Sequence, residues 1–159
     1  SLWEKQHAQK QRAGERNAKY APGALVDLET TVQLLQIEHG TDDSSLRTPE
    51  IREALDALRR AGALKTDECD ELIAAYRHLR RLINGLRMLR GSAEDLRLPE
   101  SGSAELLHLA RRLGYEDRKN RPAPGDRLLA EFEDQTETVR RFVQRHFGRP
   151  CPGTQVASG

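Results

Sequence analysis

The sequence predicts an all-α fold, a bundle of five to six mostly antiparallel helices. Three observations carry this reading. Apolar residues recur at three- and four-residue intervals along several long segments. No stretch alternates strictly enough to read as a strand. The composition is 32% charged and only 4% aromatic, rich in Leu, Ala, Glu and Arg, which is the usage of helical domains. With 159 residues the chain is long enough for one domain with a real core.

The elements follow in order. Residues 2–19 read as a polar helix of high propensity, weakened at Gly14. Its apolar face is thin (Leu2, Trp3, Ala8, Ala13), so it is expected to pack on a neighbour outside this chain. Tyr20 to Gly23 is a break. A second helix runs from about Gly23 to His39 and stops at Gly40. It is apolar almost all the way round yet carries Asp27, Glu29, Gln33 and Gln36, so it is either the centre of the core with a polar network or part of a site facing another domain.

The third helix has Thr48 as its expected N-cap, Pro49 at the first position and Gly62 as its stop, with Ile51, Leu55 and Leu58 facing inward. The fourth runs from Thr66 to about Arg90, with Asp67 and Glu68 at the positive end of its dipole. Its stripe is Leu72, Ile73, Tyr76, Leu79, Ile83, Leu86 and Leu89. Gly85 in mid-helix costs roughly 1 kcal/mol relative to Ala, which points to a close helix crossing. Ser103–Leu113 forms a short fifth helix, and Asp126–Phe147 the last, lined by Leu128, Leu129, Phe132, Val139, Phe142, Val143 and Phe147. Residues 1–147 are therefore expected to form a single helical domain and 148–159 a flexible tail.

Composition also narrows function. The net charge of +1 gives no global field for nucleic acid or a membrane surface, and neither is expected as a partner. No apolar run is long enough to span a bilayer, and the polar, basic N-terminus shows no signal region. The chain begins without Met in what reads as mid-helix, so it is expected to be a piece of a longer protein. Cys69 and Cys151 are far apart and lack metal-ligand spacing, consistent with a reduced, cytoplasmic setting.

A search for chemistry is mostly negative. His7, His39, His78, His108 and His146 show no His-x-x-x-His spacing, and each reads as exposed or as a packing residue. Walker A, Gly-x-Gly-x-x-Gly and Gly-x-Ser-x-Gly motifs are missing from the sequence. Asp27-x-Glu29 is the most tempting acid pair. On a strand both carboxylates would share a face, but on a helix two residues advance about 200°, so the pair cannot readily chelate one metal. Glu29 does share a face with Gln33. That polar strip is either an inter-domain or ligand surface, or a capping and hydrogen-bond network, which the residues by themselves favour. Arg77, Arg80, Arg81, Asn84 and Arg87 form a stripe that could meet phosphate; near zero net charge favours a solvated face paired with acids. No catalytic, cofactor or metal residue is assigned.

The segment Lys19-Tyr20-Ala21-Pro22-Gly23-Ala24-Leu25-Val26-Asp27-Leu28-Glu29, followed by Val32-Gln33, resembles the K-x-G-P-G-G-L-x-D-I-E-F-x-x-Q signature of bacterial glutamine synthetase adenylyltransferases, and more weakly the helical domain of PII uridylyltransferases. Further segments match in the right order. They are Leu46-Arg47-Thr48, Ala54-Leu55 through Ala61-Gly62-Ala63-Leu64, Ala75-Tyr76-Arg77-His78-Leu79-Arg80, Leu98-Pro99-Glu100 and Leu109-Ala110-Arg111-Arg112-Leu113-Gly114-Tyr115. The resemblance covers about residues 12–147.

The resemblance implies a non-catalytic regulatory or interaction domain that follows a nucleotidyltransferase domain. The parent would transfer AMP from ATP to glutamine synthetase and remove it again, under control of glutamine and the PII protein. It implies ATP and magnesium as cofactors of the parent and none in this piece, since Gly91-Ser92 reads as a helix stop followed by Ala93-Glu94-Asp95 and the Asp-x-Asp of the catalytic domain does not occur here. The partners implied are the parent's nucleotidyltransferase domain, glutamine synthetase and PII. Lys19, Gly23, Asp27, Glu29, Gln33, Arg77 and Arg80 become domain-contact or regulatory candidates. The sequence departs from the family at Ala24, Thr30 and Leu82-Ile83-Asn84-Gly85-Leu86-Arg87, so a divergent member with another target, or an unrelated helical binding domain, are the alternatives.

Overall fold

The computed structural model describes residues 16–39, 50–91 and 94–153. Five helices form among them: α1 (Leu25–His39), α2 (Ile51–Arg60), α3 (Thr66–Arg90), α4 (Ala104–Arg112) and α5 (Pro124–Phe147). The only β-type pairing among the described residues is one isolated antiparallel bridge, Asn17 to Arg97. The expected all-α bundle is what forms.

Local chemistry sets the helix ends. Residues 16–24 are a run of turns, so the helix expected to reach residue 19 does not extend past Arg16; its earlier part lies outside the described residues. The α2 cap is Glu50, whose Oε1 accepts from Arg52 N at 3.3 Å; Thr48 and Pro49 lie outside the described residues. Glu68 Oε1 accepts from Lys65 N at 3.1 Å, tying off the start of α3. Ser103 Oγ accepts from Leu106 N at 3.1 Å and starts α4. The last helix begins two residues before the expected Asp126, with Pro124 in its first turn, where a missing N–H costs nothing and the ring presets φ.

The centre of the bundle is α3, which packs on all four other helices; its closest partnership is with α5. That central place explains why its buried set is wider than the expected stripe. Cys69, Ala75, Leu82 and Gly85 are buried alongside Leu72, Leu79, Ile83 and Leu86, while Ile73, Tyr76 and Leu89 are only half-buried. The core is otherwise built from Leu28 and Leu35 of α1, Leu55 and Leu58 of α2, Leu106 and Leu109 of α4, and Leu128, Val139 and Phe142 of α5. The α1 helix is not the core's centre: Leu28, Thr31, Val32 and Leu35 are buried, but Gln33, Ile37 and Glu38 face out. No helix among the described residues is long and apolar enough to cross a membrane.

Gly85 marks the α3–α4 crossing. A Cβ there would lie 3.0 Å from Leu109 Cδ1 and 3.2 Å from Leu113 Cδ2, so the glycine is what lets the two helices approach. Gly85→Leu is expected to destabilise the domain by about 1–3 kcal/mol through overpacking, read from urea unfolding. An unchanged midpoint would show that α4 moves aside freely.

Candidate functional site

The segment from Arg16 to Asp27 is a hydrogen-bonded knot. Asn17 Oδ1 accepts from Lys19 N at 2.9 Å and Tyr20 N at 3.0 Å, which bends the chain back on itself. Ala18 N donates to Leu96 O at 2.9 Å and Leu98 N to Arg16 O at 2.9 Å, pinning the knot to the α3–α4 connection. Arg16 adds bonds to Pro99 O and, at 2.9 Å, to Glu100 Oε2. Lys19 contributes its carbonyl to Val26 N at 2.9 Å, while its ammonium sits 5.4 Å from the centre of the Tyr20 ring.

The Pro22-Gly23 turn is pressed onto α5. Gly23 has φ +80°, and a Cβ on it would overlap the carbonyl oxygen of Thr136. Only glycine meets both demands. Arg140 closes the contact from the other side: its Nη1 donates to Pro22 O at 3.2 Å and to Thr136 Oγ1 at 3.1 Å, and its Nη2 to Glu133 Oε1 at 2.8 Å. Thr136 Oγ1 in turn donates within α5, 2.9 Å from Phe132 O.

Asp27 is buried at the start of α1, where the positive end of the helix dipole favours a carboxylate. Its Oδ2 accepts from Gly23 N at 2.8 Å and from Gly153 N at 3.2 Å. Thr31 Oγ1 donates to Asp27 O at 2.7 Å. The carboxylate therefore joins the turn before α1 to residues 151–153, which run back past α5; residues 154–159 lie outside the described residues. Burial, and secondarily the Asp27 charge, push the nearby Cys151 thiol up to about 11, so it is protonated at neutral pH.

The other signature acids and amides point elsewhere. Glu29 is half-buried and Gln33 exposed, whereas Asp27 is buried, as the 200° turn between residues 27 and 29 requires. The structure thus divides the polar strip. Asp27 belongs to an internal network, and Glu29 with Gln33 lies on the outer side of α1.

A second feature unites two other family-like segments. A cleft of about 360 Å3 lies between α3, the C-terminal end of α4 and α5, lined by Arg77, His78, Arg81, Tyr115, Glu131 and Gln135 among others. Arg77 and His78 come from the Ala75–Arg80 segment and Tyr115 from the Leu109–Tyr115 segment. Arg81 Nη2 donates to Leu113 O at 2.9 Å, holding the end of α4 against α3. Arg80, half-buried, is not among the cleft's lining residues. Arg77, Arg81 and Asn84 of the arginine stripe are exposed, as a solvated face requires, while Arg80 and Arg87 are half-buried and Arg87 Nε has no hydrogen-bond partner among the described residues.

His78 is the most perturbed group of the cleft. Its Nδ1 is 3.6 Å from Glu131 Oε1, its Nε2 is buried without a partner among the described residues, and its side chain is only 9% exposed. Burial, reinforced by the Arg81 charge, lowers its pKa to about 4. Burial also raises that of Glu131. At neutral pH the imidazole is therefore uncharged, and its 3.6 Å approach to Glu131 is not an ion pair. The sequence carried no sign of this, because the spacing of His78 resembles that of any helical histidine.

Among known proteins, a family model described as GlnD PII-uridylyltransferase matches residues 1–149. The bifunctional glutamine synthetase adenylyltransferase/adenylyl-removing enzyme of Streptomyces avermitilis is 36% identical over 136 residues, 86% of this chain and 13% of that protein. Its counterpart in Corynebacterium diphtheriae is 37% identical over 132 residues, 83% of this chain and 12% of that protein. That of Mycobacterium leprae is 32% identical over 135 residues, covering 85% and 13%. The chain spans about 13% of the length of the curated relatives it matches. No solved structure matches it.

Two tests follow from the geometry. Asp27→Ala removes the acceptor of two amides and is expected to cost about 1–3 kcal/mol, read by urea unfolding; a loss below about 0.5 kcal/mol would mean that water replaces the carboxylate. His78 takes up a proton more readily unfolded, near its ordinary value of 6.5, than folded, near 4. Stability is therefore expected to fall as pH drops from about 6.5 to about 4, by up to about 3 kcal/mol from this group. His78→Gln should flatten that part of the stability–pH profile; an unchanged slope would show that the folded imidazole titrates normally.

Proposed function

Because the chain belongs to the GlnD PII-uridylyltransferase family, we propose that it is the helical regulatory domain that follows the nucleotidyltransferase domain in a glutamine synthetase adenylyltransferase. In this reading the outer side of α1, with Glu29 and Gln33, meets the catalytic domain. Gly23 and Asp27 fix the position of that face without touching the partner. The division of the signature residues supports this most directly, since Asp27 is committed to Gly23 and Gly153 while Glu29 and Gln33 point away from the knot. Lys19 belongs with the knot, and Arg77 lies at the cleft, where it can face an acidic group of a neighbouring domain.

Asp27 and Glu29 do not fit a shared magnesium site. Asp27 spends its Oδ2 on two amides, and Glu29 lies on another side of the helix. In the proposed reading ATP, magnesium and the transfer of AMP belong to the preceding catalytic domain, with glutamine synthetase as target, PII as regulator and the cytoplasm as location. A divergent enzyme with a different protein target is the second reading, favoured by the departures at Ala24 and Thr30.

The test uses the longer protein carrying both domains. Glu29→Ala with Gln33→Ala is expected to lower AMP incorporation into glutamine synthetase several-fold while changing the stability of this domain by no more than about 0.5 kcal/mol. Wild-type transfer by the double variant would reject the α1 face. No incorporation by the wild-type protein under any glutamine or PII condition would reject glutamine synthetase as the target.

A further inference from the structure

Helices α1 and α5 end beside a group of side chains that the reading above does not use: Glu38, His39 and His146. Glu38 Oε2 lies 3.6 Å from His39 Nε2 and 3.9 Å from His146 Nε2. One donor atom from each residue falls within 4.8 Å of the other two. A tetrahedral zinc ion with bonds of about 2.0–2.1 Å holds its ligands about 3.4 Å apart. Small side-chain rotations would therefore close this set around an ion. We propose that Glu38, His39 and His146 form a binding site for a divalent transition-metal ion of the zinc class, tying the C-terminal end of α1 to that of α5.

The donor set selects the class of ion. Two imidazoles and one carboxylate suit zinc and its neighbours, whereas magnesium and calcium require oxygen ligands throughout. The position suits a cation of any kind, because the C-terminal ends of two helices supply partial negative charge. His39 is the last residue of α1, and His146 lies in the last turn of α5. The His146 ring is already oriented: it stacks on Phe142 at 5.2 Å with an interplanar angle of 15°, and meets Phe147 edge-on at 5.0 Å. That packing does the orienting work that hydrogen bonds to the second ring nitrogen do at other metal sites. The side chains of Glu38, His39 and His146 are 50%, 41% and 27% exposed, so an ion can reach them, and water completes the coordination. Without a metal the same groups amount to exposed pairs of little worth. Sequence inspection could not find the site, since Glu38-His39 and His146 lie on different helices and share no motif spacing.

Zinc chloride titrated into the chelator-treated 159-residue chain at neutral pH should bind at one equivalent with affinity of roughly micromolar order and raise the melting temperature. Cobalt(II) in its place should give the visible absorption bands of a four-coordinate ion. His39→Ala and His146→Ala should each weaken zinc binding at least about tenfold, and Glu38→Gln should weaken it too. The absence of saturable zinc binding below about 100 µM, or one-equivalent binding retained by the His39→Ala/His146→Ala double variant, would overturn the proposal. The wild-type titration and the cobalt spectrum need no variant, so they decide the matter even if a substitution impairs folding.

Discussion

The contact between the Pro22-Gly23 turn and Thr136 of α5 constrains much of the structure around it. A turn can lie this close to a helix backbone only where a side chain is missing, and Gly23 provides that at a φ that other residues avoid. Once the turn is seated, Arg140 bonds the Pro22 carbonyl and the buried Asp27 carboxylate binds the Gly23 amide. The start of α1 is then fixed relative to α5. The same segment reaches the α3–α4 connection through Asn17, Ala18 and Arg16. Three parts of the chain that are distant in sequence meet at one polar junction, and each hydrogen bond there also removes the cost of burying its partner.

Around that junction the bundle is organised by α3, the longest helix and the one in contact with all the others. Its small residues set how near its neighbours come. Gly85 admits α4, and the end of α4 then folds over α3 through the bond from Arg81 to Leu113 O. This docking creates the cleft in which His78 loses its solvent and its basicity. The neutral histidine is thus a product of helix packing, with the Arg81 charge adding to it. At the opposite extreme of burial, Glu38, His39 and His146 remain open to solvent where α1 and α5 end.

Much of the fold was legible in the sequence because helix boundaries are decided by local chemistry. Thr66–Arg90 appears as expected, since its acidic first turn and its glycine stop act within a few residues of each end. Ser103 caps α4 for the same reason. The last helix starts at Pro124, two residues before the expected Asp126, because a proline is well suited to a first helical turn. The run from Arg16 to Lys19 has helix-forming composition but is turned, because Asn17 and its partners across the chain outweigh propensity. The site was only half legible. Helical geometry separated Asp27 from Glu29, but whether Asp27 faced inward depended on what lay opposite it.

By itself the sequence determined the all-α class, the family and the positions of most helices, and pointed to a close crossing at Gly85, because each follows from periodicity, motif order or helix propensity. Only the tertiary structure decided which polar residues are spent inside the molecule and which remain available. Asp27 and Glu29 are two residues apart and chemically alike; one binds the amides of Gly23 and Gly153, and the other lies on the outer side of α1. His78 and His146 are both helical histidines; one is buried until its pKa falls to about 4, and the other sits beside Glu38 in reach of solvent. Such differences come from contacts between segments far apart in the chain, through burial and through partners that no local pattern records.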